Sequence, residues 1–279
     1  MTSSETPKVS TNKNFAESYN VLKPLAEGET STIWLVKRIS DGALCAAKLV
    51  ADSKCLRKTW CAERKEKILD EILLSETLDH PNILDLQEIF YTGRFWILVM
   101  DYFPDFVDLS DYIVIHGAMS VCDAREIVTQ LLDTCLYLIS LDIDHRDIRV
   151  SNILYNPSTR RIKLIDFGSA CKITPLPYTS TPSENGMFLP PEYHRTGTYS
   201  PLAGLTWSIG ILAYILLTGL HPFLTERDIL EYTQLKFLNT SLDEDSREFL
   251  QDVLKGDDEA RLSPSQLTLH PWLDWISME

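Results

Sequence analysis

The sequence holds little that would carry the chain across a membrane or brace it outside a cell. Its longest apolar stretch, Trp207 to Leu220, is interrupted by Ser208 and Thr218. That is too short to cross about 30 Å of hydrocarbon, and a buried helix is the better reading. Met1 to Lys13 are polar, with no apolar signal region, so the expected location is intracellular, cytoplasmic or nuclear. Six cysteines are scattered without a C-x-x-C pair, and six histidines show no H-E-x-x-H. Neither a disulfide framework nor a zinc site is expected. No internal repeat and no low-complexity tract is present, which argues against a repeat array and a wholly disordered chain.

Positive charge is also scarce. Against 40 Asp and Glu stand 26 Lys and Arg, a net charge of −14. The imbalance lies after residue 100: there 26 acids meet 13 bases, whereas the first hundred residues hold 14 and 13. Such a field repels nucleic acid and anionic membrane and attracts basic partners, although the same carboxylates also serve plain solubility. Neither nucleic acid nor membrane is an expected partner.

What is present is a chain of 279 residues, 44% hydrophobic, with enough apolar material for a sizeable core. Residues 1–17 read as a disordered tail. Val21–Leu25, Thr32–Arg38 and Leu44–Leu49 read as strands, with Ser40-Asp41-Gly42 as a hairpin turn. Lys58 to Leu78 has helical periodicity through Ile68, Ile72 and the Leu73/Leu74 pair. Ile83–Phe90 and Phe95–Met100 read as strands across Thr92-Gly93. After Asp101 the pattern turns helical over Leu109–His116, Val121–Leu141, Leu205–Leu217, Ser246–Leu254 and Ser265–Leu269. A small sheet-rich lobe followed by a larger helical one predicts a cleft between them.

Between the helices lies the stretch that carries chemistry. His145-Arg146-Asp147-Ile148-Arg149-Val150-Ser151-Asn152 places an aspartate and an asparagine five residues apart, suited to a loop that accepts a hydroxyl proton and holds a metal. Fourteen residues after Asn152 comes Asp166-Phe167-Gly168, a second acidic group able to complete Mg²⁺ coordination. Either motif alone is weak, and the pair at this spacing is specific.

With these motifs the chain resembles the eukaryotic protein kinases, from about Tyr19 to Trp275. Cys45-Ala46-Ala47-Lys48 resembles the V-A-I-K strand, and Glu71 lies where the family keeps the helix glutamate that orients that lysine. Pro190-Pro191-Glu192 resembles A-P-E, whose glutamate pairs with an arginine matched here by Arg261. His270-Pro271-Trp272 resembles the closing helix of the calcium/calmodulin-kinase group. Within the family the chain most resembles PIM kinases and the PAS-domain kinase, through Asp108-Leu109-Ser110-Asp111-Tyr112-Ile113, Lys163 to Ser169 and Pro190 to Tyr193.

The resemblance implies an α+β, two-lobed kinase fold. The small β-rich N-lobe, residues 18–100, would have one main helix; a hinge would cover 101–108 and a larger helical C-lobe 109–279. It implies ATP and Mg²⁺ as cofactors and protein substrates, with a monomer expected. Asp147 would take the proton of the substrate hydroxyl, Arg149 would stand near the γ-phosphate, Lys48 would position the phosphates and Glu71 would position Lys48. Asn152 and Asp166 would hold Mg²⁺. Leu25, Gly28, Ile33, Ala46, Met100, Asp101, Phe103 and Leu154 would surround the nucleotide with Lys48 and Asp166, Met100 as gatekeeper and Asp101 to Phe103 as hinge. As in PIM kinases, the longer linker would give adenine one hydrogen bond fewer.

Several positions depart from the pattern. Of the glycine-rich loop only Gly28 survives in Ala26-Glu27-Gly28-Glu29-Thr30-Ser31, which predicts weakened ATP binding. Ser75 and Asp144 put polar atoms where the family is dry, and each needs a partner or water. Leu205 replaces an aspartate two residues before Trp207. Ser151 replaces a glutamate that basophilic members use, leaving Asp108 and Asp111 as candidate contacts for basic substrate residues. Tyr178, Thr179, Ser180, Thr181 and Ser183 cluster in the activation segment, where a phosphate could meet Arg146; as ordinary loop residues they would do nothing of the kind. Two further readings stay open: a pseudokinase serving as an interaction module, motivated by the damaged loop, and a small-molecule phosphotransferase, opposed by the Pro-Pro-Glu segment and the Trp207 helix.

Overall fold

The computed structural model describes the chain except residues 1–7, 11–13, 29–30, 52–57, 62–65, 70–76, 180–185, 233–234, 236, 238–241 and 275–279. It divides into two compact units, 1–105 and 106–279.

The first unit is built on one sheet. Its strands are β1 (Lys8–Ser10), β2 (Tyr19–Glu27), β3 (Ser31–Arg38), β4 (Leu44–Ala51), β7 (Leu86–Tyr91) and β8 (Phe95–Asp101), in the order β1-β7-β8-β4-β3-β2. All ladders are antiparallel except β1 against β7. The Ser40 turn forms as expected: Gly42 adopts φ +76° and donates its N–H to Arg38 O at 2.9 Å, a conformation open to glycine at no steric cost. Period-two alternation sends Val36, Cys45, Ala47, Phe90, Ile97 and Val99 to one apolar cluster with Tyr19.

Two expectations for this unit change. Part of the presumed tail is built into it, as β1 and a one-turn helix α1 (Phe15–Ser18), whose Phe15 ring stacks on Tyr19 at 5.3 Å. The apolar contact outweighs the polar composition around it. The predicted helix over 58–78 is not what its described residues form. Lys58–Cys61 (β5) and Glu66–Leu69 (β6) pair antiparallel, Thr59 opposite Ile68 and Trp60 opposite Lys67. β-Branched and aromatic residues such as Thr59, Trp60 and Ile68 favour strands.

The second unit is mostly helical. It contains β9 (Val107–Asp108), α2 (Leu109–His116), α3 (Val121–Ser140), β10 (Ile143–Asp144), β11 (Ile153–Tyr155), β12 (Ile162–Leu164), β13 (Cys171–Lys172), α4 (Pro191–Thr196), α5 (Pro201–Thr218), α6 (Glu226–Leu230), α7 (Glu244–Val253) and α8 (Pro264–Leu267). Helix α3 starts at Ser120, whose Oγ accepts the Asp123 N–H at 3.1 Å and donates to the Asp123 carboxylate at 2.7 Å; this satisfies helix-end N–H groups. Helix α5 begins four residues earlier than its apolar pattern suggests, because Pro201 fits the first helical turn. It ends at Gly219, in the left-handed region at φ +73°. Among the described residues α5 is the one helix apolar and long enough to span a membrane, and it is mostly buried inside this unit.

Two aromatic anchors fix the helices. Trp207 on α5 stacks on Phe223 at 5.6 Å and carries the Arg261 guanidinium on its face at 5.0 Å. Trp272 stacks on Phe249 at 4.3 Å and donates its indole N–H to Ser246 Oγ at 2.8 Å. The expected Glu192–Arg261 pair is present, buried and bidentate, at 2.9 Å for both contacts.

Candidate active site

In the second unit the polar residues of the 145–152 loop are tied to one another and to the strand before Asp166. The Asp147 N–H donates to His145 Nδ1 at 3.3 Å. A backbone N–H can only donate, so Nδ1 is the acceptor and Nε2 carries the ring proton. Nε2 therefore donates to Ile165 O, 3.0 Å away. The Ile165 N–H in turn donates to Asn152 O at 3.0 Å. His145 also meets Phe167 edge to face at 4.8 Å. Two loops distant in sequence are thereby locked together, and Asp147, Asn152 and Asp166 come from one hydrogen-bonded frame.

Within the frame the Asn152 amide nitrogen donates to Asp147 O and to Asp147 Oδ2, both at 2.8 Å. This holds the Asp147 carboxylate in one orientation. It also commits the nitrogen, leaving the amide oxygen of Asn152 as the ligand atom. Asp166 sits in the left-handed region at φ +64°, and its carboxylate accepts the Gly168 N–H at 3.2 Å. A non-glycine residue there is strained and must be held by its surroundings.

The donor set suits Mg²⁺. Among the described residues no group of three or more His, Cys, Asp and Glu side chains gathers in one place. Mg²⁺ beside a nucleotide needs no such cage, because one or two protein oxygens plus phosphates and water complete it. Asn152 and Asp166 supply oxygens of that kind. Arg149 suits an anion: its guanidinium lies over the Phe188 ring at 5.0 Å, and its buried Nε has no hydrogen-bond partner among the described residues.

Two sequence candidates beside this loop find local employment. Asp108 caps α2: its Oδ1 accepts the N–H groups of Ser110 and Asp111 at 2.7 and 3.2 Å. Burial pushes its carboxyl up, opposed by those two bonds and by the Arg149 charge. Asp111 is exposed. Asp144 finds its partners in the Arg146 N–H, at 3.0 Å, and the Tyr178 hydroxyl. Leu154 lies on β11, opposite Asp108 and Lys163.

In the first unit the ladder brings the remaining candidates to one face. Lys48 on β4 is flanked by Ile33 on β3 and Leu98 on β8; two residues back, Ala46 is flanked by Leu35 and Met100. Directly opposed residues share a face, so Ile33, Ala46, Lys48 and Met100 lie together, away from the apolar cluster. Lys48 is only 7% exposed. Leu25 falls at a register shift between Pro24 and Ala26. Gly28 donates its N–H to Ser31 O at 2.9 Å. Asp101 accepts from Gln87 Nε2 at 2.9 Å, and Phe103 follows it as a half-buried residue. Glu71, Ser75, Glu29 and Ser180 to Asn185 lie outside the described residues.

Some of the network has no counterpart in the sequence reading: the His145 tautomer, the Ile165 backbone bridge, the Phe188 ring beneath Arg149 and the Tyr178 hydroxyl on Asp144. Only Asp144 carried a signal, a polar residue where an apolar one was expected.

The profile of the protein kinase domain family matches residues 19–273. The chain is 27% identical over 270 residues to the serine/threonine-protein kinase pim-2 of Danio rerio, covering 94% of this chain and 86% of that one. It is 29% identical over 278 residues to myosin light chain kinase 2 of Mus musculus, covering 94% and 43%. It is 27% identical over 277 residues to the mitosis inducer protein kinase cdr1 of Schizosaccharomyces pombe, covering 95% and 43%. The chain thus spans less than half the length of the last two.

Proposed function

The chain belongs to the protein kinase domain family, and from that premise we propose that it transfers the γ-phosphate of ATP to serine and threonine hydroxyls of protein substrates. The observation that carries the proposal is the doubly held Asp147: Asn152 Nδ2 grips both its carbonyl and its carboxylate at 2.8 Å. A carboxylate fixed in this way is pre-organised to receive a proton, because no reorientation is left for the reaction to drive.

The division of labour follows the phosphoryl-transfer template. Asp147 orients the acceptor hydroxyl and takes its proton. Asn152, through its amide oxygen, and Asp166, through its carboxylate, hold Mg²⁺. Bound there, the ion neutralises charge on the β- and γ-phosphates. Arg149 offers its guanidinium to the phosphate oxygens, with Phe188 as a backing plate. Lys48, presented by β4, contacts the α- and β-phosphates, and Ile33, Ala46 and Met100 on the same face pack the base. The cap of α2 employs the side chain of Asp108, so a preference for basic substrate residues rests mainly on exposed Asp111. The serine/threonine assignment draws support from relatives that bear that name.

The test is transfer of labelled phosphate from ATP with Mg²⁺ to a mixed Ser/Thr/Tyr peptide library, run beside Asp147→Asn. Serine and threonine peptides are expected to label with the unaltered chain and not with the variant. Absence of transfer at millimolar ATP would favour the non-transferring interaction module instead.

A further inference from the structure

Asp144 stands outside the machinery described above, yet its setting is costly. It is 6% exposed, and burial pushes its carboxyl up to about 6, opposed by the Arg146 N–H, the Tyr178 hydroxyl and the Arg146 charge. At neutral pH the protein thus keeps an ionised carboxylate in a dry place, and such a group is retained at the expense of stability unless something needs it.

What surrounds it comes from several segments. Arg146, one residue before Asp147, has φ +64°, a left-handed backbone that costs a bulky residue on the order of 1 kcal/mol or more. Its N–H is held by Asp144 Oδ1 at 3.0 Å. Its guanidinium covers the Tyr178 ring at 4.6 Å, bonds the Tyr199 side chain and reaches Cys171 Sγ at 4.0 Å. The Tyr178 hydroxyl donates to Asp144 and accepts from the Cys171 thiol at 3.5 Å. Tyr178 and Tyr199 exchange two backbone hydrogen bonds at 2.9 and 3.2 Å and meet edge to face at 5.5 Å. Behind Asp144, β10 pairs with β13, Asp144 opposite Cys171. Helix α5 adds Leu205, and α3 adds Cys135, whose thiol is pushed up by burial and by Asp144. Burial and the nearby carboxylate also keep Tyr178 protonated, and burial raises Tyr199.

We propose that Asp144 is a positioning residue for phosphoryl transfer: its carboxylate fixes the left-handed Arg146 that aims Asp147, and through the Tyr178 hydroxyl it anchors the segment that follows Asp166. Arg146 is engaged from inside by these contacts, and Tyr178, buried with its hydroxyl bonded on both sides, serves as a strut. The effect on transfer rests on the kinase reading above; the anchoring of the segment rests on geometry alone.

The experiment reads the two separately, with the full chain expressed free of phosphate. Cys171 is the reporter of the strut, and its rate of alkylation by iodoacetamide is followed by peptide mass spectrometry. Exposed Cys122 serves as a reference and buried Cys135 as a check that the fold persists. In Asp144→Asn, which keeps the volume but removes the charge that strengthens the bonds to the Arg146 N–H and the Tyr178 hydroxyl, and in Tyr178→Phe, which keeps the ring, Cys171 labelling is expected to rise about tenfold or more, with Cys122 and Cys135 unchanged. The kcat for transfer is expected to fall about tenfold with KM for ATP unaltered. Wild-type transfer should also decline as pH falls through about 6, on a limb missing from Asp144→Asn. Unchanged Cys171 labelling in both variants would overturn the anchoring, and an unchanged kcat in a folded, transferring Asp144→Asn would overturn the positioning role. Faster Cys171 labelling with no transfer by the wild type would keep the anchor and refute the kinase reading.

Discussion

The two units hold their candidate residues by different means. In the first, strand register brings Ile33, Ala46, Lys48 and Met100 to a common face. In the second, hydrogen bonds tie five polar residues of the 144–152 loop: His145 to Ile165, Asn152 to Asp147, Asp144 to Arg146. A ladder sets which face a side chain takes, whereas a hydrogen-bonded loop sets the direction of each bonded polar group. The difference teaches where tolerance lies. On the proposed function, departures from the family pattern in the first unit are expected to weaken nucleotide binding by degrees, while one broken bond in the second is expected to release the Asp147 carboxylate.

Four substitutions press on that contrast. Asn152→Ala carries the largest expected effect. It frees the Asp147 carboxylate and removes an oxygen from the proposed Mg²⁺ site, so kcat should fall at least about 100-fold, with the thermal midpoint little changed, read by steady-state transfer and calorimetry. Arg261→Ala comes next and acts on stability. It strands buried Glu192 and also loses bonds to Lys255 O and Ala203 O, at 2.9 to 3.0 Å. Breaking such a pair costs about 3–5 kcal/mol, measurable by urea denaturation.

Asp144→Asn should move stability the other way. The folded carboxyl, at about 6, binds its proton more tightly than the ordinary group at 3.8. Its contribution to stability is therefore fullest below about pH 4 and is lost as pH rises through about 6. Removing the charge is then expected to stabilise the chain by about 2–3 kcal/mol at pH 7.5, with the gain vanishing near pH 4. Melting curves at the two pH values check it. Gly28→Ala is the mildest. Gly28 is not among the glycines of positive φ, and an added Cβ would meet Ser31 O at 3.4 Å, an ordinary contact. A change under about 1 kcal/mol in stability, and under about threefold in KM for ATP, is expected; a larger one would show that the first unit is less forgiving than its ladder implies.

Much of this was legible from residues alone, and the reasons differ by element. Strands β3, β4 and β8 announced themselves through alternating or β-branched runs, and α3 through its Ser120 cap. That Asp147, Asn152 and Asp166 would come from one hydrogen-bonded frame was legible because their spacing is that of the phosphoryl-transfer motifs. The Glu192–Arg261 pair, 69 residues apart, was legible only through the family likeness. The stretch over 58–78 misled because helical spacing of apolar residues competes with the strand preference of Thr59, Trp60 and Ile68. Asp144 looked like a defect until Tyr178, 34 residues on, supplied its partner; no local pattern encodes a contact of that kind. Asp108 looked free for substrate because a capping role is visible only when the N–H groups of Ser110 and Asp111 are seen to converge on it.

The most direct measurement of the whole account is an ATP titration of phosphate transfer by the unaltered chain, with Mg²⁺ and the best-labelled serine or threonine peptide. A hydrogen-bonded loop that holds Asp147 in one orientation, in a chain whose glycine-rich loop keeps one glycine, predicts kcat in the ordinary kinase range of about 1–100 s⁻¹, with KM for ATP near the upper end of the usual range, about 1 mM. Tight, micromolar saturation with kcat far below that range would contradict the contrast between the units, and no transfer at any ATP concentration would contradict the function.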